Sequence, residues 1–252
     1  MAFPQSQTRH ALSFRNLRAI SGRFIVGALR ACPRRWRFPL MQRVAYCLQP
    51  FVRLMRPNNP LQGPRERALW FLLNRLFEHD IDFAPALHAP QAHLLEETGG
   101  ALILTSHHFL NRLFMLWLTQ QGRKVTLVSG VENLDDHLGS NHKVERIRPN
   151  EQTYLRVRQR VRDNHIVIIT AEALHPIPNS RPLQLGGVTH YVSETAPRFA
   201  ERARIPLLFA FTRVGNGGQV AVNLARPSTT QADMAMDEFC QFLSTEVAQM
   251  HA

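Results

Sequence analysis

Cysteine is scarce in this chain. Cys32, Cys47 and Cys240 are the only three among 252 residues, and they are far apart. An odd, scattered set excludes a disulfide framework and a zinc knuckle, and it fits a reducing compartment. Long apolar runs are lacking too. No window approaches the roughly 18 uninterrupted apolar residues of a spanning helix. Arg9, Arg15, Arg18 and Arg23 are not followed by a long apolar core and a small-residue cleavage site, so the sequence reads without a signal peptide. There is no Gly-x-x-x-x-Gly-Lys phosphate loop, no Gly-x-Ser-x-Gly elbow and no internal repeat.

Acidic residues are nearly absent from one end. Residues 1–75 carry 14 arginines and a single acid, Glu66, against 16 basic and 18 acidic residues in the remainder. The net charge of +11 is therefore local. A basic, partly apolar terminus fits attachment to an anionic membrane surface. A nucleic-acid arm is the competing reading. The interleaving of the arginines with large apolar residues favours the membrane, since nucleic-acid arms tend to be polar.

Helical spacing runs from Arg18 to Ala31 (Ile20, Phe24, Ile25, Ala28, Leu29) and again from about Pro39 to Met55 (Leu40, Val44, Leu48, Phe51, Leu54). Cys32-Pro33 separates the two. Residues 57–64, rich in Pro, Asn and Gly, read as a hinge. The chain thus divides into a basic amphipathic segment, residues 1–60, and a main domain, residues 61–252. A helix from Arg65 to about His79 opens that domain. Gln91 to Glu97 reads as a short helix.

Four short apolar runs follow: Ala101–Leu104, Lys124–Ser129, His165–Thr170 and Ile205–Phe211. Each has the length and β-branched content of a buried strand. Helical patterns lie between them, at Phe109 to Trp117, Glu151 to Asp163 (Leu155 and Val161 inward) and Ser193 to Arg204. This alternation implies an α/β fold: a mixed, mainly parallel sheet flanked by helices. Gly215 to Gly218 reads as a hairpin turn into a strand from Gln219, and Asp233 to Met250 as a closing helix. Asp135, Asp136 and His137 are a weak metal candidate in a polar stretch that reads better as a solvated loop.

The pivot is Gly99 to Trp117. Its strand ends at Leu104, Thr105 and Ser106 are good helix starters, and His107 and His108 sit at the corner between strand and helix. In open α/β sheets ligands bind there, and histidine supplies a base at neutral pH.

Ser106 to Leu113, Ser-His-His-Phe-Leu-Asn-Arg-Leu, resembles the first motif of the lysophospholipid acyltransferase superfamily. The branch it is most similar to contains the lipid A lauroyl and myristoyl transferases, which carry His-Phe-Gly-Asn-Trp-Glu (or Asp). His108, Phe109 and Asn111 match, whereas Leu113 stands where those proteins have the acid. Ala171-Glu172-Ala173, the run Pro182 to Gly187 and Ile205 to Phe211 resemble later family segments in order and spacing, so the resemblance spans about residues 92–227.

The resemblance implies transfer of a fatty acyl group from an acyl-carrier-protein or acyl-CoA thioester to a lipid or glycolipid hydroxyl or amine. It implies a peripheral enzyme on the cytoplasmic face of the inner (plasma) membrane, with no metal or other cofactor. It assigns the base to His108, with His107 second. Glu172 is the candidate orienting acid, from the next strand end. Asn111, Arg112 and Arg181 are the candidate substrate-binding residues, the arginines for phosphate. Leu113 supports an alternative: an inactive relative that binds lipid or carrier, or assists assembly.

Overall fold

The computed structural model describes residues 26–53, 63–130, 144–215 and 218–251. The proposed boundary at residue 60, most of the hinge and Asp135, Asp136 and His137 lie outside the described residues.

Residues 26–31 are helical, and Cys32-Pro33 ends that helix as expected. Helix α1 spans Arg34–Arg53, so it starts five residues before the expected Pro39. Pro33 accounts for the difference: its carbonyl accepts the Trp36 N–H and turns the chain into the helix early. Helix α2 spans Pro64–Glu78, with proline in its first turn where a missing N–H costs nothing. A two-residue strand β1 (Leu87–His88) and a short helix α3 (His93–Thr98) lead to β2 (Ala101–Thr105). Then follow α4 (Asn111–Gln120), β3 (Lys124–Val128), β4 (Val144–Ile147), α5 (Thr153–Arg162) and β5 (His165–Thr170). The remainder comprises β6 (Glu172–Ala173), β7 (Ser180–Leu185), β8 (Val188–Ser193), α6 (Thr195–Ala203), β9 (Leu207–Val214), β10 (Val220–Ala225) and α7 (Ala232–His251).

The main sheet has the order β1-β10-β9-β2-β5-β3-β4. Strands β9, β2, β5, β3 and β4 run parallel, and β10 returns antiparallel beside β9. The fold is therefore α/β with a mixed, mainly parallel sheet between helices. A second, antiparallel sheet, β6-β8-β7, continues from the end of β5.

Period-2 alternation gives each strand two buried faces. Ala101, Ile103, Ile166, Ile168, Leu208 and Ala210 pack under α1, α2 and α4, where Phe38, Met41, Leu72, Leu73 and Leu113 meet them. Leu102, Leu104, Val167, Ile169, Phe209 and Phe211 pack on the opposite face against Val157, Val161, Ala200, Phe239 and Leu243 of α5, α6 and α7. Leu155, expected to face inward, is 70% exposed, and Val157 takes its place in the core. On a helix, residues four apart share a face, and Val157 and Val161 do so where Leu155 does not.

Gly100 fixes how closely the sheet meets α5. A Cβ there would lie 2.0 Å from the Val161 carbonyl oxygen, so no other residue fits without moving the backbone.

Candidate functional site

Strand β2 lies centrally, and the chain leaves it in one direction toward β3 while β9 occupies its other side. Such a switch of direction opens a crevice at the carboxyl ends of the strands. The register places Thr105 of β2 opposite Thr170 of β5. His107 and Glu172, each two residues further on, are therefore brought level with one another.

A tight loop joins β2 to α4. The His108 N–H donates to Ser106 O (2.8 Å), and the Asn111 N–H donates to His108 O (3.0 Å). The Asn111 side-chain amide donates to the same Ser106 carbonyl at 2.7 Å. Asn111 thus closes the loop from inside, with its Oδ1 buried and unpaired. Thr105 and Ser106 do not cap the helix. Leu110 precedes it without a side-chain cap, because the loop places five residues between strand and helix.

The loop turns the two histidines opposite ways. His108 is buried, 3% exposed, with Phe109 and Phe211 beside its ring at centroid distances of 4.9 and 5.2 Å. Neither of its ring nitrogens has a hydrogen-bond partner. Burial pushes its pKa down to about 3, so the imidazole is neutral. His107 is exposed. Its Nδ1 lies 2.9 Å from the carbonyl oxygen of Glu172. A carbonyl only accepts, so Nδ1 carries the proton and Nε2 is the acceptor nitrogen.

Glu172 is buried and does not bond His108, the histidine it was expected to orient. One carboxylate oxygen accepts the His107 backbone N–H at 2.7 Å. The other accepts from Nδ1 of His190, a fully buried residue of β8. Glu172 pairs across the small sheet with Val192, two residues beyond His190, so both polar side chains share a face. Sequence reading missed His190. The available signal was Gly186-Gly187 followed by alternation in Val188, His190 and Val192, a hairpin signature.

Leu113 is fully buried in the core, and no carboxylate stands at the expected place on α4. Arg112 is half-buried. Its guanidinium lies over the Trp70 ring at 4.7 Å, and Trp70 touches Phe109 at 4.6 Å. Burial lowers its pKa to about 10, and among the described residues no carboxylate pairs with it. Trp70 is a second residue that the sequence reading missed.

Arg181 is placed elsewhere. It pairs with Glu194 at 2.8 Å and with Asp237, tying β7 to α6 and α7. The structure brings His107, His108, Glu172 and Asn111 to one corner and Arg112 one step along α4, while Arg181 is engaged in the scaffold.

Thr105 Oγ1, Ser106 Oγ, the His108 ring nitrogens, Asn111 Oδ1, His190 Nε2 and Thr212 Oγ1 are all buried without a hydrogen-bond partner. Each such group costs roughly 1–3 kcal/mol. Of these seven atoms, five come from β2, its loop and β9, and a sixth from Asn111, the first residue of α4. Such a concentration of unpaired polar atoms sets this corner apart from the rest of the core and makes it the candidate site.

No family model matches the chain, and no curated protein matches it, so the resemblance rests on the motif residues themselves.

Proposed function

We propose that this corner performs acyl transfer from a thioester to a lipid or glycolipid hydroxyl or amine at a membrane surface. The observation that carries the reading is the His107–His108 loop at the carboxyl end of β2. It holds the neutral imidazole of His108 against an aromatic wall, beside Arg112, with which no carboxylate of the described residues pairs. An acyl acceptor needs a proton acceptor, an acyl chain needs an apolar wall, and a phosphorylated headgroup needs a cation. His107 and His108, Phe109 with Trp70 and Phe211, and Arg112 supply these in turn. Asn111 and Glu172 hold the loop. No cofactor is required, because the thioester is the activated donor.

Helix α1 supports the peripheral placement. Phe38, Met41 and Ala45 are buried, while Trp36, Leu40 and Tyr46 are exposed together with Arg35 and Arg43. Aromatic and aliphatic groups among arginines suit an anionic lipid surface. No helix of the described residues is long and apolar enough to cross a membrane.

Thiol release tests the chemistry. Purified protein is mixed with anionic vesicles of total bacterial lipid and either acyl-CoA or acyl-carrier-protein. Wild type is expected to release free thiol from at least one donor, lipid-dependently. The double variant His107→Ala with His108→Leu is expected to lose it at least about 100-fold, the usual minimum for removing a general base.

The buried Leu113 favours a second reading, an inactive relative that binds lipid or carrier for assembly. Under that reading the wild type binds vesicles and releases no thiol.

A further inference from the structure

We propose that His107 is the catalytic base of this transfer, and that Glu172 and His190 are its positioning residues. The inference rests on the acyl-transfer reading and assigns its parts.

Three observations carry it. The first is tautomer control. The Glu172 carbonyl fixes the proton on Nδ1 of His107 and leaves Nε2 as the acceptor. In catalytic triads a carboxylate does this, and the wrong tautomer costs about four orders of magnitude. Here a backbone carbonyl does it, so an acid at position 113 is not needed. The second is access. His107 is exposed, where a lipid hydroxyl reaches it, while His108 is enclosed by Phe109 and Phe211.

The third is support behind the base. The Glu172 carboxylate holds the His107 backbone N–H, and His190 Nδ1 holds the carboxylate. Glu172 is 2% exposed and His190 0%, so this pair is anchored in protein rather than water. Two bonds from one residue, through its carbonyl and its carboxylate, fix both the backbone and the ring of His107. Hydrogen-bond partners standing behind a reacting imidazole are what set its direction.

The step balances. The acceptor O–H gives its proton to Nε2 of His107 as its oxygen bonds the thioester carbon. The carbon–sulfur bond breaks, and the departing thiolate takes that proton back from Nε2. Ester and free thiol result, and His107 returns to its starting form.

Two substitutions separate the roles. His107→Asn keeps a donor where Nδ1 stood and removes Nε2. It is expected to lower kcat for thiol release at least about 100-fold, with the thermal midpoint unchanged, and by at least about tenfold more than His108→Leu. His190→Leu is expected to lower kcat with little change in KM. His190→Asn, which retains a donor toward Glu172, is expected to restore most of it.

Comparable activity in His107→Asn and wild type overturns the assignment, as does a larger loss in His108→Leu. Failure of His190→Asn to exceed His190→Leu, with both folded, removes His190 from the positioning pair. A wild type that releases no thiol with either donor overturns the acyl-transfer reading and this assignment with it. That outcome is distinguishable from the others, in which the wild type is active.

Discussion

Replacing Glu172 by alanine is expected to cost about 1–3 kcal/mol of folding stability, the range for leaving a buried hydrogen-bonding group without its partner. The carboxylate is 2% exposed and accepts from His190 Nδ1 and from the His107 N–H. Alanine leaves the His190 Nδ1 donor unpaired in a place water does not reach and takes the acceptor from the half-buried His107 N–H, and the ring of His190 has no other hydrogen bond. Glu172 also stands where the main sheet passes to the small one. The Ala171 N–H donates to Thr105 O, and the Ser193 N–H donates to Ala171 O. Loss of the carboxylate therefore loosens β6 and the His107 loop together. Urea denaturation measures the effect. A loss below about 1 kcal/mol, the ordinary scale of surface changes, would mean that the network contributes little to folding.

Acid is expected to destabilise the protein through His108. Its folded pKa is about 3, against 6.5 for the unfolded chain. Between those values the unfolded state binds a proton that the folded state refuses. The stabilising contribution is complete above pH 6.5 and is lost as pH falls toward 3, at about 1.4 kcal/mol per pH unit. The cause is burial alone, with no carboxylate to support the charged ring. His108→Leu removes this titration. Wild type should therefore lose stability faster than the variant by about that slope between pH 6 and 4. Parallel curves would contradict the buried, unpaired placement of His108.

The sheet was largely legible from the chain. Strands β2, β3, β5 and β9 are nearly continuous apolar runs because both of their faces are covered. Strand β4, Val-Glu-Arg-Ile, was not, since an edge strand keeps its polar residues and lacks that run. Strand β7 carries Pro182, which weakens any strand reading, and it survives because it pairs on one side only, with β8.

The site was legible as a place more than as a set of roles. The spacing after β2 and β5 put His107, His108 and Glu172 near one another, and the register of Thr105 with Thr170 explains why. Which of two adjacent histidines turns inward is decided by the loop bonds of Ser106 and Asn111, which spacing does not encode. His190 comes from a hairpin 18 residues beyond Glu172, and only the pairing of β6 with β8 brings it there. Arg181 is a phosphate candidate by the family resemblance alone, and its acids, Glu194 and Asp237, lie 13 and 56 residues further on, where spacing does not reveal the pairing.

Mass spectrometry of total lipids is the most direct test of acyl transfer at this corner. It compares cells producing wild type, the double variant His107→Ala with His108→Leu, or no protein. The account predicts a lipid bearing an added acyl chain in the first cells alone, with folded double variant present in the second. An identical lipid profile in all three, with wild type folded and at the membrane, would contradict it.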